Sequence, residues 1–318
     1  MPSPTLFPIL ADGAAPRVER LEWLTDVQIA RNGTEHRRAL RALPRWSQSG
    51  QLVLLDSYRG GQLDALAPLL AGSAVLAPAW MHQWSPAVYA PKVRDSVSAD
   101  ALVRRAVSGY NGEQQFFMVP GTGALVVETH KIGSADRLLR HPSTGLPSFN
   151  SLLYGYCMPA LEMRCIDGIN AEARSPGVRV LSLTLTATQP LDEAIEAWTD
   201  VAPDGLPNAP ARLVNWRDAV KDATAHSANS FNEGHLWSWS MRYAKRTVSA
   251  TVSLYSRTDI LAFRRWLYAL KGRATAFHWQ CPLDDAPSLW RLADDAVEIA
   301  YTTPSRAECA LAMTEVAA

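Results

Sequence analysis

The residues of this 318-residue chain whose side chains could do the most varied chemistry are its four cysteines. Thiolates hold zinc or iron–sulfur clusters when they occur as pairs a few residues apart. Seven residues separate Cys157 from Cys165, which is not a usual ligand spacing, and Cys281 and Cys309 lie far from both. The pattern favours buried free thiols and predicts no metal or cofactor, with a metal or cluster site as the weaker alternative.

A second group of candidate residues combines histidines with carboxylates: His226, Glu233, His235, His278, Asp284 and Asp285. Such side chains could form a metal site or an acid–base pair. However, His278 lies between Phe277 and Trp279 on a predicted strand and faces away from both, which indicates a surface or interface position. The pairs Asp284-Asp285 and Asp294-Asp295 are typical of turns. We therefore expect a protein that is not an enzyme, with a hydrolase as the weakest alternative.

Tryptophan is frequent, with 11 copies in the chain. Trp237 and Trp239 alternate with Met241 and Tyr243, which places all of them on one face of a predicted strand. Indole rings on one face could stack on sugar rings, as in a carbohydrate-binding protein. Same-face tryptophans more often pack a core or a seam between subunits, so the seam is the prediction and carbohydrate binding is the alternative.

The strongest local pattern is a strand, a short amphipathic helix, a glycine and an aromatic strand, within residues 248–279. Thr258 or Asp259 is the predicted helix cap, and Gly272 is the predicted stop. The helix face is formed by apolar residues at three- and four-residue spacings: Ile260, Phe263, Trp266, Leu267 and Leu270. Residues 51–80 repeat the order, with these matching residues: Leu63, Leu66, Leu69, Leu70, Gly72 and Trp80. The repetition indicates a duplicated module.

The predicted fold class is mainly β with short helices, an α+β arrangement of β-sandwich or split-barrel modules with an internal duplication. The expected organisation is an extended arm at 1–20, a first β-rich module at 21–84, an intervening β-rich region at 85–200 that could hold a small inserted domain, a linker at 201–212, and a second module at 213–318. In the intervening region the predictions are strands at 116–119, 124–128 and 178–188, an irregular stretch at 131–160 and a short helix at 191–198.

Charge and hydropathy exclude some classes of partner. The formal net charge is zero, so nothing draws the whole chain to nucleic acid or to an anionic membrane. No apolar run approaches the roughly 20 residues of a membrane helix, and the N-terminal stretch has no secretion-signal pattern. We expect neither membrane association nor specific nucleic-acid binding.

Both modules carry motifs of one protein family. In the first module they are Trp23, Thr25, Asp26, Gly33, Thr34, Glu35, Arg37, Arg38, Arg41, Pro44 and Arg45. In the second they are Phe263-Arg264, Gly272-Arg273, Phe277-His278-Trp279 and the closing WRLADDAVEIAYTTPSRAECALAMTEV. These motifs resemble the distal-tail and upper-baseplate structural proteins of long-tailed, siphovirus-like bacteriophages and prophages. The two matches cover about half of the chain.

The resemblance implies a structural virion protein of the viral tail, assembled in the host cytoplasm. It implies a homo-oligomeric ring, a trimer or a hexamer, at the junction of tail tube and baseplate. The ring would link the tube to hub or receptor-binding proteins. The alternative is a carbohydrate-binding, host-receptor-binding protein of the tail tip.

The arginine-rich stretch 31–45 supplies the candidate interface of such a ring. Guanidinium groups suit bidentate contacts with carboxylates of an adjacent subunit. Contact with DNA in the tail lumen is less favoured, because DNA must slide there and tight phosphate binding would hinder it. The candidate subunit-interface residues are Arg31, Arg37, Arg38, Arg41, Arg45, Trp237 and Trp239.

Overall fold

The computed structural model describes residues 5–7, 11, 15–29, 35–55, 66–82, 115–120, 128–132, 139–140, 154–190, 197–210, 215–216, 221–228, 240–281, 286–303 and 305–316. The chain divides into two compact units that do not follow chain order. The first unit holds 1–19, 45–195 and 301–304, and the second holds 20–44, 196–300 and 305–318. The predicted module at 21–84 is thus shared between the two units.

Strands dominate the described residues, and most of them pair in an antiparallel manner, so the prediction of a mainly β fold with short helices is confirmed. The strands are β1 (Thr5–Leu6), β2 (Arg17–Glu22), β3 (Thr25–Ile29), β4 (Glu35–Ala39), β5 (Arg45–Leu55), β6 (Val75–Pro78), β7 (Gln115–Pro120), β8 (Glu128–Ile132), β9 (Leu139–Arg140), β10 (Tyr154–Ser175), β11 (Val178–Ala187), β12 (Asn215–Trp216), β13 (Lys221–Ala228), β14 (Ser240–Leu254), β15 (Phe277–Trp279), β16 (Ser288–Leu292), β17 (Ala296–Thr303) and β18 (Arg306–Glu315). The helical elements are α1 (residues 66–70), a 3-10 turn at Trp80–His82 and α2 (Arg257–Leu270). None of the helices described is long and apolar enough to span a membrane.

In the first unit, neighbouring strands follow the order β2, β5, β11, β10, β6, β1, except that residues 20–22 of β2 belong to the second unit. The pairs from β5 to β6 are antiparallel, and β1 closes the edge by pairing parallel to β6. Strands β7, β8 and β9 extend from β10. The strand β11 alternates because its sequence does: Leu181, Leu183 and Leu185 are buried between more polar residues.

In the second unit, the order is β12, β14, β18, β16, β15 and a short edge segment at residues 207–209. The edge segment lies parallel to β15 through the bridge between Asn208 and His278. Strand β13 also pairs with β14, and β17 neighbours β18. Every second residue of β18 is buried over most of its length, namely Ala307, Cys309, Leu311 and Met313. Strands β3 and β4 form a separate two-stranded sheet.

The two units therefore contain the same six-strand topology, with a helix between the third and fourth strands in chain order. The match extends to details of the edge. Phe7 N donates to Leu76 O at 2.8 Å, and Ala209 N donates to His278 O at 2.8 Å. The sequence repeat between 51–80 and 252–279 falls on equivalent elements of this topology.

The ends of α2 show how its sequence limits it. Ser256, not the predicted Thr258 or Asp259, is the N-cap, since its side chain accepts a hydrogen bond from Asp259 N. At the other end Lys271 is already left-handed, with φ 54°, and Gly272 follows with φ 69°. The predicted glycine at the helix end is confirmed, and Lys271 before it also adopts the left-handed conformation.

Other local predictions were wrong. Residues 131–160 are not irregular throughout, because β8 runs to Ile132 and β10 begins at Tyr154. Of the predicted strand 124–128, only residue 128 is described, and it belongs to β8; residues 124–127 lie outside the described residues. Leu70, placed on the buried face of α1, is 69% exposed, whereas Leu66 and Leu69 are buried. Most of the predicted helix 191–198 lies outside the described residues.

Candidate functional site

The predicted interface arginines lie in different surroundings. Arg38 and Arg45 are exposed, and Arg41 is half-buried with a guanidinium nitrogen 3.7 Å from a carboxylate oxygen of Glu22. Arg37 is nearly buried. Arg31, Trp237 and Trp239 lie outside the described residues, so the interface predictions for them stay predictions.

Arg37 belongs to a charged cluster inside the second unit. Its Nε and Nη2 atoms donate to Glu35 Oε2 at 2.9 and 2.7 Å, and Arg291 Nη1 donates to the same oxygen at 3.3 Å. Arg37 Nη1 also donates to Arg273 O at 3.1 Å. Burial lowers the pKa of Arg291, and the charge of Arg37 lowers it further. Arg37 thus has a carboxylate partner in its own chain, two residues away on β4, and its contact with an adjacent subunit stays a prediction.

Asp295 forms a second anchor in the same unit. One carboxylate oxygen accepts from Thr25 Oγ1 at 2.6 Å and from Arg273 N at 3.0 Å, and the other accepts from Thr25 N at 2.9 Å. Burial acts to raise the pKa of Asp295, but these hydrogen bonds hold it below its ordinary value. Trp23 N donates to Asp295 O at 2.9 Å. The start of β3 is therefore fixed to the turn between β16 and β17.

The hairpin of β3 and β4 presents two different faces. The face toward the unit carries the anchored residues Thr25 and Arg37, while Asp26, His36 and Arg38 are exposed on the other face. Asp26 and Arg38 are direct partners in the strand register. Within the part of the chain that the structure describes, neither strand pairs with a third one. The hairpin thus offers a fixed, polar face, and among the described residues its strand edges have no further strand partner.

A cleft of about 870 Å³ lies beside β15 in the second unit. One wall is the segment 197–210, which the sequence predicted to be partly helix end and partly linker. The other wall comes from β15 and α2, including Arg265. The lining side chains that can form polar or ring contacts include Trp198, Asp200, Asn208, Arg265, His278 and Gln280.

Backbone and side-chain hydrogen bonds hold the segment 197–210 in place. His278 N donates to Pro207 O at 2.9 Å, and Asn208 N donates to Asp200 O at 2.9 Å. His278 Nε2 lies 2.8 Å from Asp204 Oδ2, and this bond lowers the pKa of the Asp204 carboxyl. As predicted, His278 is partly exposed between two buried aromatic residues. The structure gives it a role in fixing the segment.

The cysteines give no ligand set in the part of the chain described. Cys281 and Cys309 are buried and Cys165 is half-buried, all as free thiols. Burial raises the pKa of Cys309 and also that of Cys165, which disfavours their thiolate forms. Among the described residues, no group of three or more His, Cys, Asp or Glu side chains is placed to hold a metal ion. Glu233, His235, Asp284 and Asp285 lie outside them.

The sequence analysis missed the cleft residues Trp198, Asp200 and Asn208. They sit in a proline-rich stretch without periodicity, where only the Trp and the turn-forming Asp and Asn gave a signal. Their grouping depends on the pairing of 207–209 with β15, a contact about 70 residues away along the chain (278 − 208). No family model and no curated protein matches this chain.

Proposed function

We propose that this chain is a non-enzymatic structural subunit of a phage or prophage tail. In this proposal it forms a ring at the junction of tail tube and baseplate, assembles in the host cytoplasm and becomes part of the virion. The ring joins the tube to hub or receptor-binding proteins. The proposal begins from the motifs of the two modules, and one structural observation carries it further.

That observation is the anchored hairpin of β3 and β4. A ring subunit needs a surface that keeps its shape before its neighbour arrives, because ordering a loose segment on binding lowers affinity. The contacts of Asp295 and Glu35 supply such rigidity on the hairpin face that packs against the rest of the second unit. Strand edges that have no further partner among the described residues, together with the exposed Arg38, then suit strand addition and a carboxylate from a neighbouring copy.

The repeated topology supports the same proposal. A chain with two equivalent modules places six modules around a ring when three copies assemble, and twelve when six assemble. A closed ring satisfies every open edge without continued growth. The neutral net charge limits repulsion among many closely packed copies.

The experiment measures the mass of the purified full chain by light scattering and images the particles by electron microscopy. We expect closed rings of three or six copies with a central hole. The charge reversal Arg38→Glu is expected to shift the mass toward monomer, whereas Arg179→Glu, an exposed arginine of β11, is the matched control.

A second measurement tests the location. Antibodies against the chain should label the distal end of tails in lysates of induced cells that carry the gene. Deletion of the gene should arrest tail assembly at the step that adds this protein. Normal tails from the deletion strain, together with a monomeric mass for the pure chain, would contradict the proposal.

A further inference from the structure

We infer that the cleft beside β15 binds a neutral saccharide. The inference goes beyond the ring role, does not depend on ring assembly, and assigns sugar recognition to Trp198 and its neighbours. A cleft of about 870 Å³ lies within the range of small-molecule sites and has room for one or two sugar rings.

Trp198 supplies the apolar surface. Its indole Nε1 donates to Asn208 O at 3.2 Å, so the polar edge of the ring is already satisfied by the protein. The side chain is half-buried and lines the cleft. An indole fixed by its edge leaves ring surface for the C–H face of a sugar, at little cost in side-chain entropy.

The polar side chains of the cleft match hydroxyl groups. Asp200 Oδ1 accepts from Asn208 Nδ2 at 2.9 Å, which orients both planar groups before a ligand arrives. Arg265 and Gln280 also line the cleft, and their side chains contain donor and acceptor atoms. One carboxylate and one guanidinium nearly cancel in charge, so the lining favours a neutral ligand with many hydroxyls.

The main competing ligand, an extended peptide, is disfavoured by the strand pairing. A peptide that adds to a sheet needs an open strand edge. Both edges of β15 are occupied, one by β16 and the other by residues 207–209. The cleft is lined by side chains and not by an unpaired edge of β15, which suits a ligand recognised by its hydroxyls and ring faces.

The first unit shows that this cleft chemistry is not a requirement of the fold. The equivalent edge segment there pairs with β6 through Phe7, which is fully buried, and Leu76, which is also buried. In the second unit the corresponding positions carry Ala209 and His278, and the segment brings polar partners with it. The polar cleft is therefore a property of the second module.

The test uses the full chain on an array of neutral and anionic oligosaccharides, followed by calorimetric titration with the neutral oligosaccharide that binds best. We expect Trp198→Ala to weaken binding at least about tenfold. Trp198→Phe keeps a ring and should lose less. Tyr255→Ala removes an exposed aromatic residue that does not line the cleft and should leave the affinity unchanged.

Images of Trp198→Ala particles separate this inference from the ring proposal, because we expect intact assembly together with lost sugar binding. The inference is overturned if no neutral oligosaccharide binds at millimolar concentration. It is equally overturned if binding survives in Trp198→Ala, and loss of binding in Trp237→Ala would then move the site to that residue. Binding of a peptide library in place of sugars would also overturn it.

Discussion

A single carboxylate, that of Asp295, connects three distant parts of the sequence in the second unit. It accepts hydrogen bonds from Thr25 and from Arg273, and its oxygen Oδ1 lies close against Gly272. Hydrogen bonds to a charged, nearly buried acceptor are worth more than those between neutral groups. These hydrogen bonds lower the pKa of Asp295, although burial acts in the opposite direction.

We predict that Asp295→Asn lowers the free energy of unfolding by about 1.5–3 kcal/mol at pH 7. The amide leaves Thr25 N or Arg273 N without its acceptor. Because the folded-state pKa of Asp295 is depressed, its contribution is fully present above the unfolded value and is lost as pH falls through the folded value. Urea unfolding from pH 7 down to pH 3 should show the gap between wild type and variant closing at the acidic end.

The neighbouring carboxylate provides the control for that experiment. Asp294 is exposed, so Asp294→Asn should change the free energy of unfolding little at pH 7. A gap for Asp295→Asn that stays constant down to pH 3 would show that the hydrogen bonds do not depend on the charge.

At the scale of elements, both helices end at a glycine with positive φ, but the two glycines have different surroundings. Gly72 has φ 71° and no atom within 4 Å of the position that a Cβ would take. For Gly272, with φ 69°, that position lies 2.5 Å from Asp295 Oδ1 and 2.9 Å from Trp23 Cβ. Gly72 is required only for its positive φ, whereas Gly272 has a positive φ and also allows Trp23 and Asp295 to pack closely against it.

We predict that Gly72→Ala costs about 1 kcal/mol of stability, the cost of a left-handed alanine. Gly272→Ala should cost at least about 1 kcal/mol more, because Trp23 and Asp295 must move to admit the methyl group. Thermal or urea unfolding of both variants measures the difference. Equal losses would mean that the surroundings of Gly272 yield without resistance.

The elements that sequence analysis located are those with a strong period. The predicted strand 178–188 corresponds to β11, in which buried residues recur at every second position over much of its length. The predicted helix face corresponds to α2, with a period near 3.6 residues, since each element buries one face. The strand β10 was missed because residues 170–175 are all exposed, so no buried face gives a two-residue period, and its ladder with β11 is interrupted near Gly168. Pairing with a partner strand holds it there, and no local pattern reports such pairing.

The edge segment 207–209 was missed for a different reason. Prolines at 203, 207 and 210 are typical of a linker, since proline cannot donate to a strand ladder. Ala209 lies between two of them and supplies the one N–H that the pairing with β15 uses. The cleft residues depend on this pairing, so their grouping could not be predicted without the three-dimensional structure.

At the scale of the whole molecule, neither compact unit is one continuous stretch of the sequence. The second unit includes residues 20–44, which precede much of the first unit in sequence. Trp23 is 1% exposed, and its ring meets that of Tyr268 edge to face at 5.7 Å between centroids. The C-terminal part of the chain is therefore incomplete without an N-terminal hairpin.

This interleaving predicts the behaviour of a fragment. Residues 196–318 alone lack Trp23, and loss of a buried tryptophan alone typically costs about 3–5 kcal/mol, a large part of the stability of a domain. The fragment also leaves Asp295 without Thr25. We expect it to melt well below the full chain, or without a cooperative transition, when followed by circular dichroism.

A synthetic peptide of residues 20–44 should raise the melting temperature of that fragment in proportion to the logarithm of its concentration, because it binds only the folded state. The same peptide with Trp23→Ala and Thr25→Ala is the matched control and should have little effect, since it lacks both anchors. A fragment that melts with the full chain and does not respond to the peptide would show that residues 196–318, which contain the predicted second module, are self-sufficient. Rescue by the peptide would instead make the hairpin of β3 and β4 a part of the second module, contributed from the N-terminal end of the chain.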